Sequence, residues 1–288
     1  KKLYNIMKFL ILSPHFHHKN KKGIESILNN LKWEYKYGNI NDITDFDIIY
    51  SPSDSIDVSK YPNKKFIFGP HFSVFPNNKI KQINNVNNSI YIQPSEWAVN
   101  TWKQMGSEQY IPIKPFCFPV DTDKFNQVNQ ERNKVFIYFK RRHPNELNFM
   151  EEYLKKMNIE YVIFDYIKKY KEAYYISYLQ QSKFGIIIDA HESQGFAIQE
   201  AMSCNVPLLV WNTKCMSQEY GSNYTNIPCT TIPYWSDECG EFFYDKEEFE
   251  CKYNEFINKV ETYNPRKYVM EHLSLVKCSN NLINLLDI

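Results

Sequence analysis

The sequence predicts an α/β protein built from two domains. Three observations carry this. Short apolar runs alternate with helical patterns along most of the chain, which is the mark of a mostly parallel sheet covered by helices. At 288 residues the chain is longer than one hydrophobic core usually spans. A stretch with three prolines and little periodicity, IPIKPFCFPVDTDKFNQ (111–127), interrupts the pattern, which then restarts.

In the first half, MKFLILS (7–13), DFDIIYS (45–51), KKFIFG (64–69) and SIYIQ (89–93) read as strands. After the polar loop PHFHHKNKKG, Ile24, Ile27, Leu28 and Leu31 mark one helical face. PSEWAVNTWKQMG reads as a helix capped by Ser95, with Trp97, Ala98, Thr101, Trp102 and Met105 as its stripe and Gly106 as its left-handed end. In the second half KVFIYF (134–139), YVIFDY (161–166), FGIIIDA (184–190) and VPLLVW (206–211) are strands. Leu147, Met150, Leu154 and Met157 form one helix seam, and Ala173, Ile176 and Leu179 suggest another. Residues 212–244 look irregular. Asp245 and Glu248 then form a capping-box pattern before Phe249, Tyr253, Phe256, Ile257 and Val260. Pro265 ends that helix, and 266–286 reads as a last helical stretch.

Composition narrows the function. With 34 basic and 33 acidic residues the net charge is +1, which argues against nucleic acid as the main partner. The seven cysteines are odd in number and contain no C-x-x-C, so a disulfide framework or cysteine zinc site is not expected and a reducing, cytoplasmic setting is. The start, KKLYNIMKFLILS, mimics a signal peptide, but Asn5 and Lys8 interrupt it and no small-residue cleavage site follows. No apolar run approaches the roughly 20 residues of a membrane span.

The stretch DAHESQGFAIQEAMSCNVPLLVW (189–211) carries the chemistry. A strand ending near Asp189 leads through HESQG into a helix from about Phe196 to Cys204, with Asn205 as its left-handed end. Glu192 then sits at a strand's carboxyl end and Glu200 one turn into the helix. Gly195 lets backbone approach a ligand where the first-turn amides suit a phosphate. Carboxylates beside such a site accept hydrogen bonds from sugar hydroxyls, so the pattern points to a sugar–diphosphate–nucleoside. The competing reading has Glu192 merely favouring the helix dipole and Glu200 facing solvent. The apolar surroundings of Glu200 weigh against it.

HESQGFAIQEAMSCNVPLLV resembles the E-x7-E segment of retaining nucleotide-sugar glycosyltransferases with the GT-B architecture, of the group 1 or family-four-like type. FPVDTDKF (118–125) resembles the segment with which those enzymes leave their first domain, and IQPSEWAVNTWKQMG the strand and helix before it. The resemblance implies two Rossmann-like domains facing a central cleft: 1–115 on the acceptor side, 116–265 binding the nucleotide sugar, and a helical segment 266–288 placed as packing back on the first domain. It implies that Glu192 meets donor-sugar hydroxyls and Glu200 the ribose. Ser193, Gln194, Gly195 and Phe196 would then line the sugar or diphosphate. His71, in IFGPHF, resembles a first-domain histidine that reaches the donor sugar, its alternative being a core or loop histidine. The family's phosphate clamp is an Arg after the first strand of domain two and a Lys about five positions on. Here the strand ends in Lys140, Arg141, Arg142 and His143 and the later lysine is missing, so Lys140 is assigned first and Arg141 second. Lys140 and Arg142 would share a direction if the strand ran through them.

Two D-x-D motifs, Asp121–Asp123 and Asp45–Asp47, resemble metal-binding motifs of another glycosyltransferase architecture. Their places in a linker and before a strand favour turn capping, and no metal is expected. His15, His17 and His18 fall on the loop where the family's acceptor binds, although a plain surface role competes. Without G-x-G-x-x-G, a P-loop or G-x-S-x-G, dinucleotide, P-loop and α/β-hydrolase enzymes are disfavoured. The expected activity is sugar transfer from a UDP- or GDP-sugar to a hydroxyl of a glycan or other acceptor, with no cofactor. A nucleotide-sugar epimerase of the same fold and a silent glycan- or nucleotide-binding module are the alternatives.

Overall fold

A computed structural model describes residues 7–12 and 16–287. The chain start and His15 lie outside these residues. Two compact units divide the chain: 1–119 with 275–288, and 120–274.

The first unit holds six strands: β1 (Lys8–Ile11), β2 (Glu34–Tyr37), β3 (Ile48–Ser51), β4 (Lys65–Phe68), β5 (Ser89–Gln93) and β6 (Ile113–Pro115). Their order is β2-β1-β3-β4-β5-β6 and every pairing is parallel. Helices α1 (His18–Leu31), α2 (Asn78–Lys81) and α3 (Glu96–Gln104) connect them, and α9 (Leu275–Leu285) returns from the far end of the sequence. Alternation sends Leu10, Phe66, Phe68 and Tyr91 into a core with Val99 and Trp102. Phe9, Ile11, Tyr50 and Ile67 on the alternate positions are buried as well, so both faces of the sheet are covered. α9 is bound to α1, where Asn30 Nδ2 donates to Ser279 Oγ at 3.0 Å.

The second unit holds β7 (Lys134–Lys140), β8 (Tyr161–Asp165), β9 (Ser182–Asp189), β10 (Leu208–Trp211) and β11 (Gly240–Phe243), ordered β11-β10-β9-β7-β8 and again all parallel. Its helices are α4 (Pro144–Lys156), α5 (Glu172–Gln180), α6 (Phe196–Ser203), α7 (Lys246–Lys259) and α8 (Pro265–His272). The α8 residue Arg266 donates to the carbonyls of Thr122, Phe125 and Ser203, tying the start of this unit to the end of α6. Because all five strands are parallel, Lys140, Asp165, Asp189, Trp211 and Phe243 end on one edge.

Several expectations need correction. Strands β2, β6 and β11, all at sheet edges, escaped the periodicity because their residues break the apolar pattern. β2 is EYKY, without an aliphatic residue. β6 lies in the stretch read as a crossing, and its Pro115 is tolerated only at an edge. β11 lies in the stretch read as irregular. It begins at Gly240, where φ is 139° and a Cβ would stand 1.9 Å from the Leu208 carbonyl oxygen. Ser95 makes no capping hydrogen bond. Asp245 makes none either and pairs with Lys214 at 3.1 Å, while Glu248 accepts from the Tyr244 amide. Met105 and Met157 are exposed. The buried face of α5 is Tyr175, Tyr178 and Leu179, with Ala173 exposed. The last helical stretch is two helices, α8 and α9, in different units.

Candidate active site

The carboxyl edge of the second sheet gathers most of the predicted site residues. Register places Lys140, the last residue of β7, directly beside Asp189, the last residue of β9. Beyond Asp189 the chain turns through His191–Gln194, anchored where the Glu192 amide donates to the Thr230 carbonyl at 3.1 Å. Glu192 folds back to pair with Lys140 through Oε1. Lys140 Nζ is 4.0 Å from an Asp189 carboxyl oxygen and 4.9 Å from the centre of the Tyr166 ring. One ammonium thus meets two carboxyl groups in a site largely closed to solvent.

The electrostatics follow from burial and contact. Burial alone would depress Lys140, but Asp189 and Glu192 raise it above its ordinary value, so it stays charged. Burial alone would raise Glu192, yet Lys140 holds it below the usual carboxylate range. Asp189, fully enclosed and pressed by Glu192, is raised well above that range. Tyr138 and Tyr170 are both raised, chiefly by burial and then by neighbouring carboxylates, Asp189 for Tyr138 and Glu200 for Tyr170. Their hydroxyls hydrogen-bond each other. Tyr170 therefore bridges the surroundings of Lys140 and Asp189 to those of Glu200.

Helix α6 starts at Gly195, whose φ of 81° and ψ of 50° are left-handed. A Cβ there would be 3.5 Å from Glu192, an ordinary contact, so backbone conformation rather than space calls for glycine. Gln194 is buried, donating to Gln199 Oε1 at 3.2 Å and accepting from Gln199 Nε2 through its carbonyl at 2.7 Å. Ser193 is exposed and Phe196 half-buried. Glu200 is 5% exposed and faces into the unit rather than to solvent. Asn205 closes the helix with a φ of 58°, as its sequence position suggests.

The basic run after β7 splits. The strand stops at Lys140 and Arg141 takes a left-handed φ of 52°, so Lys140 and Arg142 do not share a direction. Arg142 is 2% exposed. It grips Glu146 through Nε and Nη2 at 2.8 and 2.6 Å, and through Nη1 donates to the carbonyls of Asp189 and Trp211. It pins two strand ends to α4. Arg141 lies half-exposed, 3.2 Å from Glu219, which also lies 3.4 Å from His191. His143 caps α4 by accepting from the Asn145 amide.

In the first unit His71 follows β4 on that sheet's own carboxyl edge. Asn20 of α1 donates to its Nε2 at 3.1 Å, which leaves the ring proton on Nδ1, and the Phe16 ring lies 6.2 Å away. Burial pushes the imidazole down to about 4, so it is neutral at pH 7. The unfolded chain takes up that proton at the ordinary imidazole value, so stability from the neutral ring is present above about pH 6.5 and lost as pH falls towards about 4. We expect wild-type protein to lose up to about 3 kcal/mol across that window relative to a His71→Gln variant, measured by urea denaturation at stepped pH. Parallel curves would contradict it.

Asp121 accepts from the Lys124 amide at 3.0 Å and Asp47 from the Lys8 amide at 2.9 Å, so both D-x-D motifs cap backbone. Among the described residues no group of three or more His, Cys, Asp or Glu is placed to hold a metal ion, and no helix is long and apolar enough to cross a membrane. Sequence reasoning passed over Asp189, Tyr138, Tyr166 and Tyr170. The one available signal was a carboxylate closing an apolar strand.

No protein-family model and no curated protein sequence matches the chain. Solved structures do. A sucrose-phosphate synthase from Thermosynechococcus elongatus superposes with a TM-score of 0.58 at 10% identity, over 97% of this chain and 98% of that one. The catalytic domain of starch synthase IV from Arabidopsis thaliana, bound to ADP and acarbose, gives 0.53 at 10% identity over 93% of this chain and 76% of that one. The architecture is that of the GT-B glycosyltransferases: α/β, with parallel sheets of six and five strands. At this identity the likeness carries the fold alone.

Proposed function

We propose that the chain is a retaining, metal-independent glycosyltransferase that moves a hexose-like sugar from a UDP- or GDP-sugar to a hydroxyl of a glycan or other acceptor. The observation that carries this reading is the buried Lys140 ammonium on the carboxyl edge, held by Glu192 beside the start of α6. Ligands of parallel α/β sheets gather at that edge. A leaving diphosphate needs positive charge as the glycosidic bond breaks, and Lys140 with the first-turn amides of α6 supplies it. Glu200 accepts from the ribose hydroxyls. Glu192, once Lys140 turns to phosphate, accepts from the donor sugar. Ser193, Gln194, Gly195 and Phe196 line the sugar and diphosphate, and Arg141 is the second cation. His71, with its proton on Nδ1, is assigned to the donor sugar as a hydrogen-bond donor. With no strong protein nucleophile assigned at the anomeric carbon, the acceptor attacks from the face the diphosphate leaves. The odd number of cysteines and the lack of a C-x-x-C suit a reducing, cytoplasmic setting.

Incubation with a panel of nucleotide sugars, with and without EDTA, tests this. Release of UDP or GDP that survives EDTA and increases with hydroxyl acceptors is the expected result. Isomerised sugar without nucleotide release would instead make the protein an epimerase. Binding without turnover under every acceptor would make it a binding module.

A further inference from the structure

Asp189 is 0% exposed, and among the described residues neither of its carboxyl oxygens is satisfied: the neighbouring Ala190 amide donates to the Lys140 carbonyl at 3.0 Å, and Lys140 Nζ stands 4.0 Å away. The main chain of Asp189 is held in place. Its main-chain oxygen accepts from Arg142 Nη1 at 3.2 Å and from Thr231 Oγ1 at 3.1 Å, and its strand position is fixed opposite Lys140. The group facing it at hydrogen-bonding range is another carboxyl, that of Glu192. Two carboxyls that face one another with no donor between them need a proton to hold them together.

The groups around Asp189 are Lys140 and Tyr138 from β7, Tyr170 from the segment after β8, and His191 and Glu192 from the turn after β9. Arg142 reaches only its main chain, and Glu200 of α6 acts on Tyr170 behind it. Burial keeps both tyrosines neutral and lowers His191. Arg142 is already matched by Glu146. What remains is one ammonium against two carboxyls, and full ionisation would leave an unmatched negative charge in an enclosed site.

We propose that Asp189 and Glu192 hold one proton between them at neutral pH, and that Asp189 is thereby the positioning residue that makes Lys140 available to the phosphates of a nucleoside diphosphate. The proposal rests on the donor site described above. With the proton in place the three groups sum to neutrality. A phosphate that draws Lys140 away then leaves a hydrogen-bonded carboxyl–carboxylate pair, with an oxygen of Glu192 turned to ligand hydroxyls. Without the proton, Lys140 is held by two carboxylates and an incoming anion meets net negative charge. Affinity for the anion therefore falls as pH rises through the pair's alkaline step.

Two measurements on the full chain separate the parts of this statement. Infrared difference spectra of ligand-free wild-type protein between pH 6 and 9 should show a carboxylic-acid band that vanishes towards the alkaline end. Asp189→Asn should lack that band. A wild-type spectrum with no protonated carboxyl at pH 7 overturns the proposal without need of a variant. Calorimetric titration with UDP, GDP and inorganic pyrophosphate should show wild-type affinity falling about tenfold per pH unit above the step. Asp189→Asn, whose neutral amide imitates the protonated acid, should bind with near-constant affinity across the range. Parallel pH curves for the two proteins would overturn the positioning role. If neither nucleotide binds wild-type protein at any pH while the infrared band is present, the donor-site reading fails and the shared proton stands.

Discussion

Lys140→Ala is expected to lower sugar-transfer turnover by about 10²–10³-fold, the loss found when one preorganised stabiliser of developing negative charge is removed. On the proposed reading Lys140 is the first cation to meet a leaving diphosphate at the carboxyl edge, with the half-exposed Arg141 second, because Arg142 is committed to Glu146 and two strand-end carbonyls. The substitution also strips from Asp189 and Glu192 the ammonium that pairs with them. We therefore expect a stability loss of about 3–5 kcal/mol, less whatever proton uptake by the carboxyls recovers. Turnover should be measured where circular dichroism shows the variant folded. Lys140→Arg, keeping charge but not shape, should recover part of the rate. Wild-type turnover in folded Lys140→Ala would remove Lys140 from the mechanism.

Glu200→Ala should weaken UDP or GDP binding by about 10–100-fold, because charge-assisted hydrogen bonds to two ribose hydroxyls are worth about 1.5–3 kcal/mol. Glu200 is buried on α6 and acts electrostatically on Tyr170, so it stands on the same side of the unit as the Lys140 group. Glu200→Gln retains one acceptor and should lose less. Isothermal titration with the nucleotide alone gives the answer. An unchanged dissociation constant in the alanine variant would mean that the ribose does not rest on Glu200.

How much of this was legible beforehand depended on what kind of signal each residue carries. The central strands announce themselves because both faces are buried, so they read as continuous apolar runs such as FGIIIDA. β2, β6 and β11 do not, since glutamate, lysine, proline and glycine intrude, whereas the edge strand β8 keeps its apolar YVIF. The segment around Gly195 and Asn205 could be read locally because left-handed backbone favours those residue types. Lys140 and Glu192 could be assigned to one site from their places at strand ends. That Asp189 stands beside Lys140 could not, because the adjacency depends on β9 pairing with β7 while β8 lies outside. Nor could the parting of Arg141 and Arg142, which turns on a single left-handed residue after the strand. Tyr138 and Tyr170 passed for ordinary aromatics, and only the fold brings them within electrostatic reach of Asp189 and Glu200.

The central claim is that the edge formed by Lys140, Glu192, Gly195 and Glu200 holds a nucleoside diphosphate sugar. A crystal structure of the protein soaked with UDP- or GDP-sugars tests it most directly. We predict ribose hydroxyls on the Glu200 carboxylate, phosphate oxygens on Lys140 and the first-turn amides of α6, and the sugar beside Glu192. A nucleotide bound elsewhere on the chain, with the Lys140–Glu192 ion pair left intact, would contradict it.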